Sequence, residues 1–412
     1  MTTIAVIGAG QRGRAYADIA RGLGARVVAV ADPDPVARDG LAAGHGCDHI
    51  FTDWRDLLAE ERLADAVFIC TQDQDHVEPT IVAAERGYHI LVEKPMATDE
   101  AGALKMAEAV KKAGVISGVC HVLRYTAYTQ KVKELIDAGA IGTVATIQHL
   151  EPVGWWHFAH SFVRGNWRSE RASSPMLVAK AVHDVDWVMY VMGEPVRQVS
   201  SFGTLLEFRP DKRPEKAASR CLDCPVRFTC PYDAVRIYRN FLDDPVYSSW
   251  PLTVLSPDPT WENLEEALRS GPYGECVYLG YNDVVDHQVV SLEFASGSNA
   301  SLVVTAFTEM ANRKTRIFGT RGWLEGDGTR LTQYDFVSGI SHTYDTGIQG
   351  SSAASGHGGG DTGLVKAFLD AVVHHDQSLI TSDIPASLIT LQATWAAEES
   401  RRLDCVCRLP QE

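Results

Sequence analysis

Ile4-Ala5-Val6-Ile7-Gly8-Ala9-Gly10-Gln11-Arg12-Gly13 is a short apolar run closed by a glycine turn. Alone, a Gly-x-Gly-x-x-Gly turn says little, because glycines suit any tight turn. Here it follows a strand pattern and opens a helical pattern over 12–23. A second apolar run, Val27 to Ala31, then ends in Asp32, 19 residues after Gly13. That context is the dinucleotide fingerprint. Gly8 permits the turn, Gly10 lets a pyrophosphate approach the backbone, and Gly13 allows the helix to pack on the strand. The helix start, with Gln11 and Arg12, offers free N–H groups and a positive dipole end to phosphates. Asp32 can accept hydrogen bonds from ribose hydroxyls and would repel a 2′-phosphate. The pattern therefore predicts NAD over NADP, with Arg38 nearby as the one feature pulling the other way.

Further strands are expected at Ala66–Cys70, His89–Val92 and Val115–Val119, with helices near 77–86 and 99–113 between them. Short apolar strands alternating with helices predict a parallel sheet covered on both faces. Thr71 to His76 follows one strand and Glu93-Lys94-Pro95 the next. The bland reading of Glu-Lys-Pro is a solvated turn. Its position favours a ligand role, because open α/β sheets bind ligands beyond the carboxyl ends of their strands.

The chain has 412 residues, 45% hydrophobic and 22% charged, the balance of a folded globular protein of about two domains. Thirty-eight basic against 53 acidic residues leave a net charge of -15, which disfavours nucleic-acid partners. No apolar run reaches the ~20 residues that span a bilayer, and no leader pattern opens the chain, so a cytoplasmic protein without a membrane partner is expected.

The glycine turn, Asp32, Thr71 to His76 and Glu93-Lys94-Pro95 together resemble the glucose–fructose oxidoreductase / inositol dehydrogenase / MocA family. Trp167-Arg168 is similar to that family's WR element, and His183-Asp184-Val185-Asp186-Trp187 to its catalytic-histidine helix. Asp286–Gly297 and Ala393–Arg401 look like its later strand and last helix. The resemblance implies an N-terminal Rossmann domain, 1–122, and a C-terminal α/β domain, 123–412, with a large open, mostly antiparallel sheet. It also implies a homo-oligomer, dimer or tetramer, acting on sugars, glycosides or cyclitols. Lys94 would be the catalytic lysine and His183 the proton-transferring histidine. Thr71, His76, Glu93, Lys94, Trp167 and Arg168 would join the glycine turn in holding the cofactor. One departure stands out. Ala179 occupies the position of the family's aspartate, while Lys180 lies three residues before His183. On one helix Lys180 would share a face with His183 and lower its pKa, as like charges do.

Hydride transfer from a secondary alcohol needs a base near neutral pH and a group that polarises oxygen. Histidine, with an unperturbed pKa of roughly 6.5, suits the first task and a lysine ammonium the second. Between the domains, Glu151 to Arg168 holds three tryptophans, two histidines and two arginines. Aromatic faces with interleaved polar groups suit carbohydrate rings, although a packed loop would use the same residues. Tyr125, Trp156, His157, His160, Arg164 and His183 are the expected substrate residues.

Cys221, Cys224 and Cys230 are spaced C-x2-C-x5-C inside an apparent insertion at 205–275, and Cys276 follows 46 residues after Cys230. A tetrahedral zinc site needs four ligands, and Cys276 is the best fourth, with His287 weaker. Free thiols or a labile disulfide are the alternative, and iron–sulfur spacing is absent. A glycine-rich stretch, Ser355 to Thr362, suggests a loop before a helix over 363–374 capped by Asp361 or Thr362. The expected activity is NAD-linked oxidation or reduction of a sugar, glycoside or cyclitol hydroxyl. Two alternatives stay open: redox-assisted glycoside cleavage, and a non-catalytic NAD-sensing protein.

Overall fold

The computed structural model describes residues 1–347 and 357–410, and the chain divides into two compact units. The first comprises Met1–Gln130, Val185–Gly193 and Gly359–Trp395; the second comprises Lys131–Asp184, Glu194–Gly358 and Ala396–Glu412. The family resemblance implied one boundary near 122. The first unit instead also draws in two later segments.

In the first unit, strands β1 (Thr3–Ile7), β2 (Arg26–Ala31), β3 (His49–Phe51), β4 (Ala66–Ile69), β5 (His89–Val92) and β6 (Ser117–Val119) form a parallel sheet, order β3-β2-β1-β4-β5-β6. The order reverses between β1 and β4, which places a crevice beyond the carboxyl end of β1. β4 is buried at every residue, as helix-covered strands must be. β3, mostly exposed at the sheet edge, has too little apolar patterning to stand out in the sequence. The helix Gly360–His374 packs its Leu364, Val365 and Phe368 into the same core as Tyr16 and Phe68. The rings of Phe68 and Phe368 meet edge-on at 5.8 Å. Burying Phe368 contributes roughly 1.5–3 kcal/mol, enough to explain why so late a segment returns to this core. Its expected caps do not hold: Gly359, in a left-handed conformation, occupies the N-cap. Of the glycine-rich stretch, residues 355–356 lie outside the described residues.

Among the described residues the second unit is built on nine strands: β7 (Val144–Pro152), β8 (Val196–Thr204), β9 (His287–Phe294), β10 (Asn299–Thr305), β11 (Lys314–Gly319), β12 (Gly322–Gly326), β13 (Arg330–Asp335), β14 (Ser341–Asp345) and β15 (Cys407–Arg408). Their order is β14-β13-β12-β11-β7-β10-β9-β8-β15, and only β7 with β10 runs parallel. Buried and more exposed residues alternate along β9 and β10, the signature of a sheet with one core face. The insertion lies between β8 and β9. Its helices Ala234–Phe241 and Trp261–Ser270 share a small core of Ala234, Ile237, Tyr238, Leu264 and Leu268 with Trp156.

Candidate functional site

In the first unit the glycines behave as their positions require. Gly8 has φ +92°, and a Cβ there would lie 2.5 Å from the Cys70 carbonyl carbon. A Cβ on Gly13 would lie 2.0 Å from the Gly8 oxygen, whereas one on Gly10 would meet nothing within 4 Å. The backbone above Gly10 is thus open, and the helix Gln11–Gly22 begins without a side-chain cap. Asp32 is fixed beside this turn, accepting from the amides of Ala9 at 2.6 Å and Asp34 at 2.8 Å. An open helix start, a bare glycine and a pinned acid at the end of β2 fit the pyrophosphate and ribose of NAD.

The side chain of Arg12 is committed elsewhere. Its guanidinium pairs with Glu93 at 2.7 Å and Asp361 at 2.8 Å and bonds the Tyr16 hydroxyl, so its expected phosphate role falls to the backbone. Burial alone would raise the Glu93 carboxyl, yet Arg12 and Lys94 hold it below the ordinary carboxylate range. Glu93 in turn accepts from the Lys94 amide at 2.8 Å, fixing the turn that presents Lys94 after β5. His76, fully buried, sets Nδ1 2.7 Å from the Pro95 oxygen and Nε2 3.1 Å from the Thr71 oxygen. Glu93 and His76 were expected to touch the cofactor. Their side chains instead tie the loops after β4 and β5 together, while Thr71 bonds the Asp75 oxygen at 3.0 Å.

The sequence reading missed His121, which follows β6 as Lys94 follows β5. Burial pushes it down to about 4, with Arg124 and Lys94 acting in the same direction against Asp186. Arg124 binds both Asp186 oxygens, at 2.7 and 2.6 Å. A histidine at a strand's carboxyl end was the available signal. Tyr125, expected at the substrate, uses its hydroxyl to hold the Thr381 and Ser382 amides at 3.1 and 3.2 Å.

In the second unit the helical pattern around Lys180 is broken. One helix, Met176–Ala179, ends at Lys180, and another, Val182–Met192, begins before His183. The expectation that Lys180 and His183 sit one turn apart on a continuous helix is therefore corrected. Lys180 Nζ lies 3.2 Å from Glu151 Oε1. Glu151 Oε2 lies 2.8 Å from Arg313 Nε, which stands 2.7 Å from Asp184 Oδ1. His149 joins through Asp184 at 3.0 Å and Thr315 at 2.8 Å. β7 supplies His149 and Glu151, and the loop before β11 supplies Arg313. Two buried carboxylates thus meet one buried guanidinium and one half-buried ammonium. Burial would raise Asp184, and Arg313 reverses this and holds it far below the usual range. His157 lies in the field of Lys180 and is lowered by burial first and then by that ammonium. His183 is 5% exposed, and its ring centroid lies 5.9 Å from that of His357.

Other expected substrate residues pack against the insertion. Trp156 packs against Phe241, Tyr247 and Trp250 at 4.7, 5.1 and 5.7 Å. His160 stacks on Tyr273 at 4.7 Å and hydrogen-bonds the Tyr238 hydroxyl at 2.9 Å; burial, then Arg164, pushes it down to about 3. Arg164 bonds the oxygens of Glu275 and Tyr232, both at 2.8 Å, and Cys221 Sγ at 3.5 Å. These three are packing residues, because an aromatic core consumes the contacts a sugar would use. Trp167 and Arg168 are partly exposed, Arg168 lying 3.6 Å from Glu275. Cys221, Cys224, Cys230 and Cys276 line one cavity; His287 is not among its lining residues and bonds Asp286 at 2.8 Å. Among the described residues, no group of three or more His, Cys, Asp or Glu is placed to hold a metal ion, and no helix is long and apolar enough to cross a membrane.

Residues 2–121 match the model of an oxidoreductase family with an NAD-binding Rossmann fold, and residues 133–404 match that family's C-terminal α/β domain. The putative oxidoreductase YteT of Bacillus subtilis is 25% identical over 73% of this chain and 71% of its own length. An inositol 2-dehydrogenase of Streptomyces avermitilis is 32% identical over 50% of this chain and 57% of its own. The crystal structure of an Agrobacterium radiobacter oxidoreductase, in complex with NAD+, L-tartaric acid and magnesium, superposes with a TM-score of 0.73. It is 16% identical, with 99% of this chain and 98% of that one covered.

Proposed function

Because this chain belongs to the Gfo/Idh/MocA oxidoreductase family, with its NAD-binding Rossmann fold, we propose that it transfers a hydride between NAD and a hydroxyl of a sugar, glycoside or cyclitol. The observation that carries the reading is the turn after β5. There, Arg12 and Glu93 hold Lys94 in the same carboxyl-end row as the open Gly10 backbone and Asp32. Gly8, Gly10, Gln11 and Gly13 would hold the pyrophosphate and Asp32 the ribose, with Trp167 and Arg168 as further cofactor residues. NAD, when bound, supplies a hydride acceptor. Lys94 would set its ammonium against the negative charge that develops on the alcohol oxygen, and His183 would take the hydroxyl proton. Lys180 enters already paired with Glu151, so its charge is oriented before substrate arrives. Burial and that ammonium hold His157 beside it below the ordinary histidine range. Assembly as a cytoplasmic homo-oligomer is part of this proposal; light scattering reads the assembly.

The test is turnover of the purified chain with NAD against a panel of pyranoses, glycosides and cyclitols, following NADH and product together. Formation of NADH with a ketone is expected. His183→Ala should cost roughly 10²–10⁴ in turnover and Lys94→Ala a similar amount, with NAD affinity little changed. Cleavage of a glycoside without net NADH would replace this reading with the redox-assisted one. NAD binding without any turnover would replace it with a sensing role.

A further inference from the structure

We propose that Cys221, Cys224, Cys230 and Cys276 form a four-thiolate site for one structural divalent metal of the zinc class, tying the early and late parts of the insertion together. The proposal is independent of the activity assigned above.

The backbone brings the four together. Arg220 and Glu275 form an antiparallel bridge, with the Cys221 amide donating to Gly274 and the Cys276 amide to Ser219, both at 2.9 Å. From Cys221 the chain coils through successive tight turns, Cys224 donating to the Cys221 oxygen, Arg227 to Cys224 and Cys230 to Arg227. All four side chains line one cavity.

The sulfurs are met by donors. The Tyr232 amide lies near the Cys230 sulfur and the Tyr278 amide near the Cys276 sulfur, each two residues downstream. Arg164 Nη2 reaches the Cys221 sulfur at 3.5 Å. Donors aimed at sulfur gain most when it is anionic, and a bound metal is what removes the proton from a coordinating thiol.

Charge points the same way. Arg164 is 2% exposed, and its hydrogen-bond partners are two carbonyl oxygens and a sulfur. A buried guanidinium is costly without an anion. Four thiolates around a divalent ion carry a net charge of about −2, the counter-charge this arginine faces. Sulfur donors in a tetrahedral set select zinc over hard cations. Among the described residues no three such side chains stand at metal-holding positions, so the thiols would have to turn inward to bind. The insertion's small core explains the use of a staple.

The test is metal content of the whole chain, purified under reducing conditions, incubated with zinc and desalted. About one zinc per chain is expected, released by a thiol-specific mercurial, with the melting temperature lowered by chelation. Cys276→Ser should lose the metal, whereas Cys405→Ser, altering an exposed cysteine of the separate Cys405–Cys407 pair, should keep it. Should Cys276→Ser fail to fold, cobalt(II) added alone to the unaltered chain decides: the charge-transfer and visible bands of a tetrahedral four-sulfur site are expected. Zinc-treated protein without bound metal, the absence of those cobalt bands, or a disulfide among these four cysteines in the reduced preparation would overturn the proposal.

Discussion

Replacing Arg313 by Met removes the one guanidinium that serves both Glu151 and Asp184 while keeping much of its apolar stem. Glu151 retains Lys180 at 3.2 Å, but Asp184 is left with the His149 hydrogen bond alone, at zero exposure. Breaking a buried ion pair from one side costs roughly 3–5 kcal/mol, because the remaining charge stays desolvated. For a unit of this size that converts to a fall of roughly 6–20 °C in melting temperature. The sign with pH follows from the directions of the shifts. In the unaltered protein Asp184 is depressed, so its contribution is present above about 3.9, the unfolded value, and is lost as pH falls through the folded value. In the variant, burial without the cation raises Asp184. The deficit is therefore largest at pH 7 and shrinks as pH falls through the raised value. Calorimetry of both proteins at pH 7 and near pH 5 measures it. A variant melting within ~2 °C of the unaltered protein at pH 7 would refute the reasoning, since it lies well below the smallest cost of an unpaired buried carboxylate.

Two shorter predictions concern the cofactor and the insertion. NAD should bind at least about tenfold more tightly than NADP, or ~1.4 kcal/mol, and Asp32→Ala should narrow that gap; equal dissociation constants in the unaltered protein would remove Asp32 from its role. His160 titrates at about 3 when folded and near 6.5 when unfolded, so its contribution is full above 6.5 and is lost as pH falls toward 3, by up to ~1.4 kcal/mol per pH unit. His160→Gln, which can keep a hydrogen bond to Tyr238, should flatten that slope in urea titrations and leave turnover unchanged. A large rise in KM would return His160 to the substrate.

Much of the first sheet was legible because its strands carry their own signature. β1, β2, β4 and β5 are nearly continuous apolar runs, as strands buried on both faces must be. β3 was illegible for the opposite reason, since two of its three residues face solvent. The aromatic stretch from Glu151 to Arg168 misled because tryptophan and histidine serve a sugar and a packed core equally well. Only the insertion's partners, Phe241, Tyr247, Trp250 and Tyr273, decide between them. The Lys180–His183 spacing misled because the pattern continued where the helix did not. His121 was overlooked because a lone histidine acquires meaning only from the strand end it occupies.

The sequence by itself singled out the glycine turn, Asp32 and Glu93-Lys94-Pro95 as candidate positions. Those signals are local: a left-handed φ, a strand-to-helix junction and a carboxylate at a strand end follow from neighbours along the chain. Tertiary structure alone decided which charges are already neutralised. Arg12 meets Asp361 across 349 positions of sequence, and Arg313 meets Asp184 across 129. Coulomb attraction and desolvation depend on distance and burial in space, and no spacing in the chain records either.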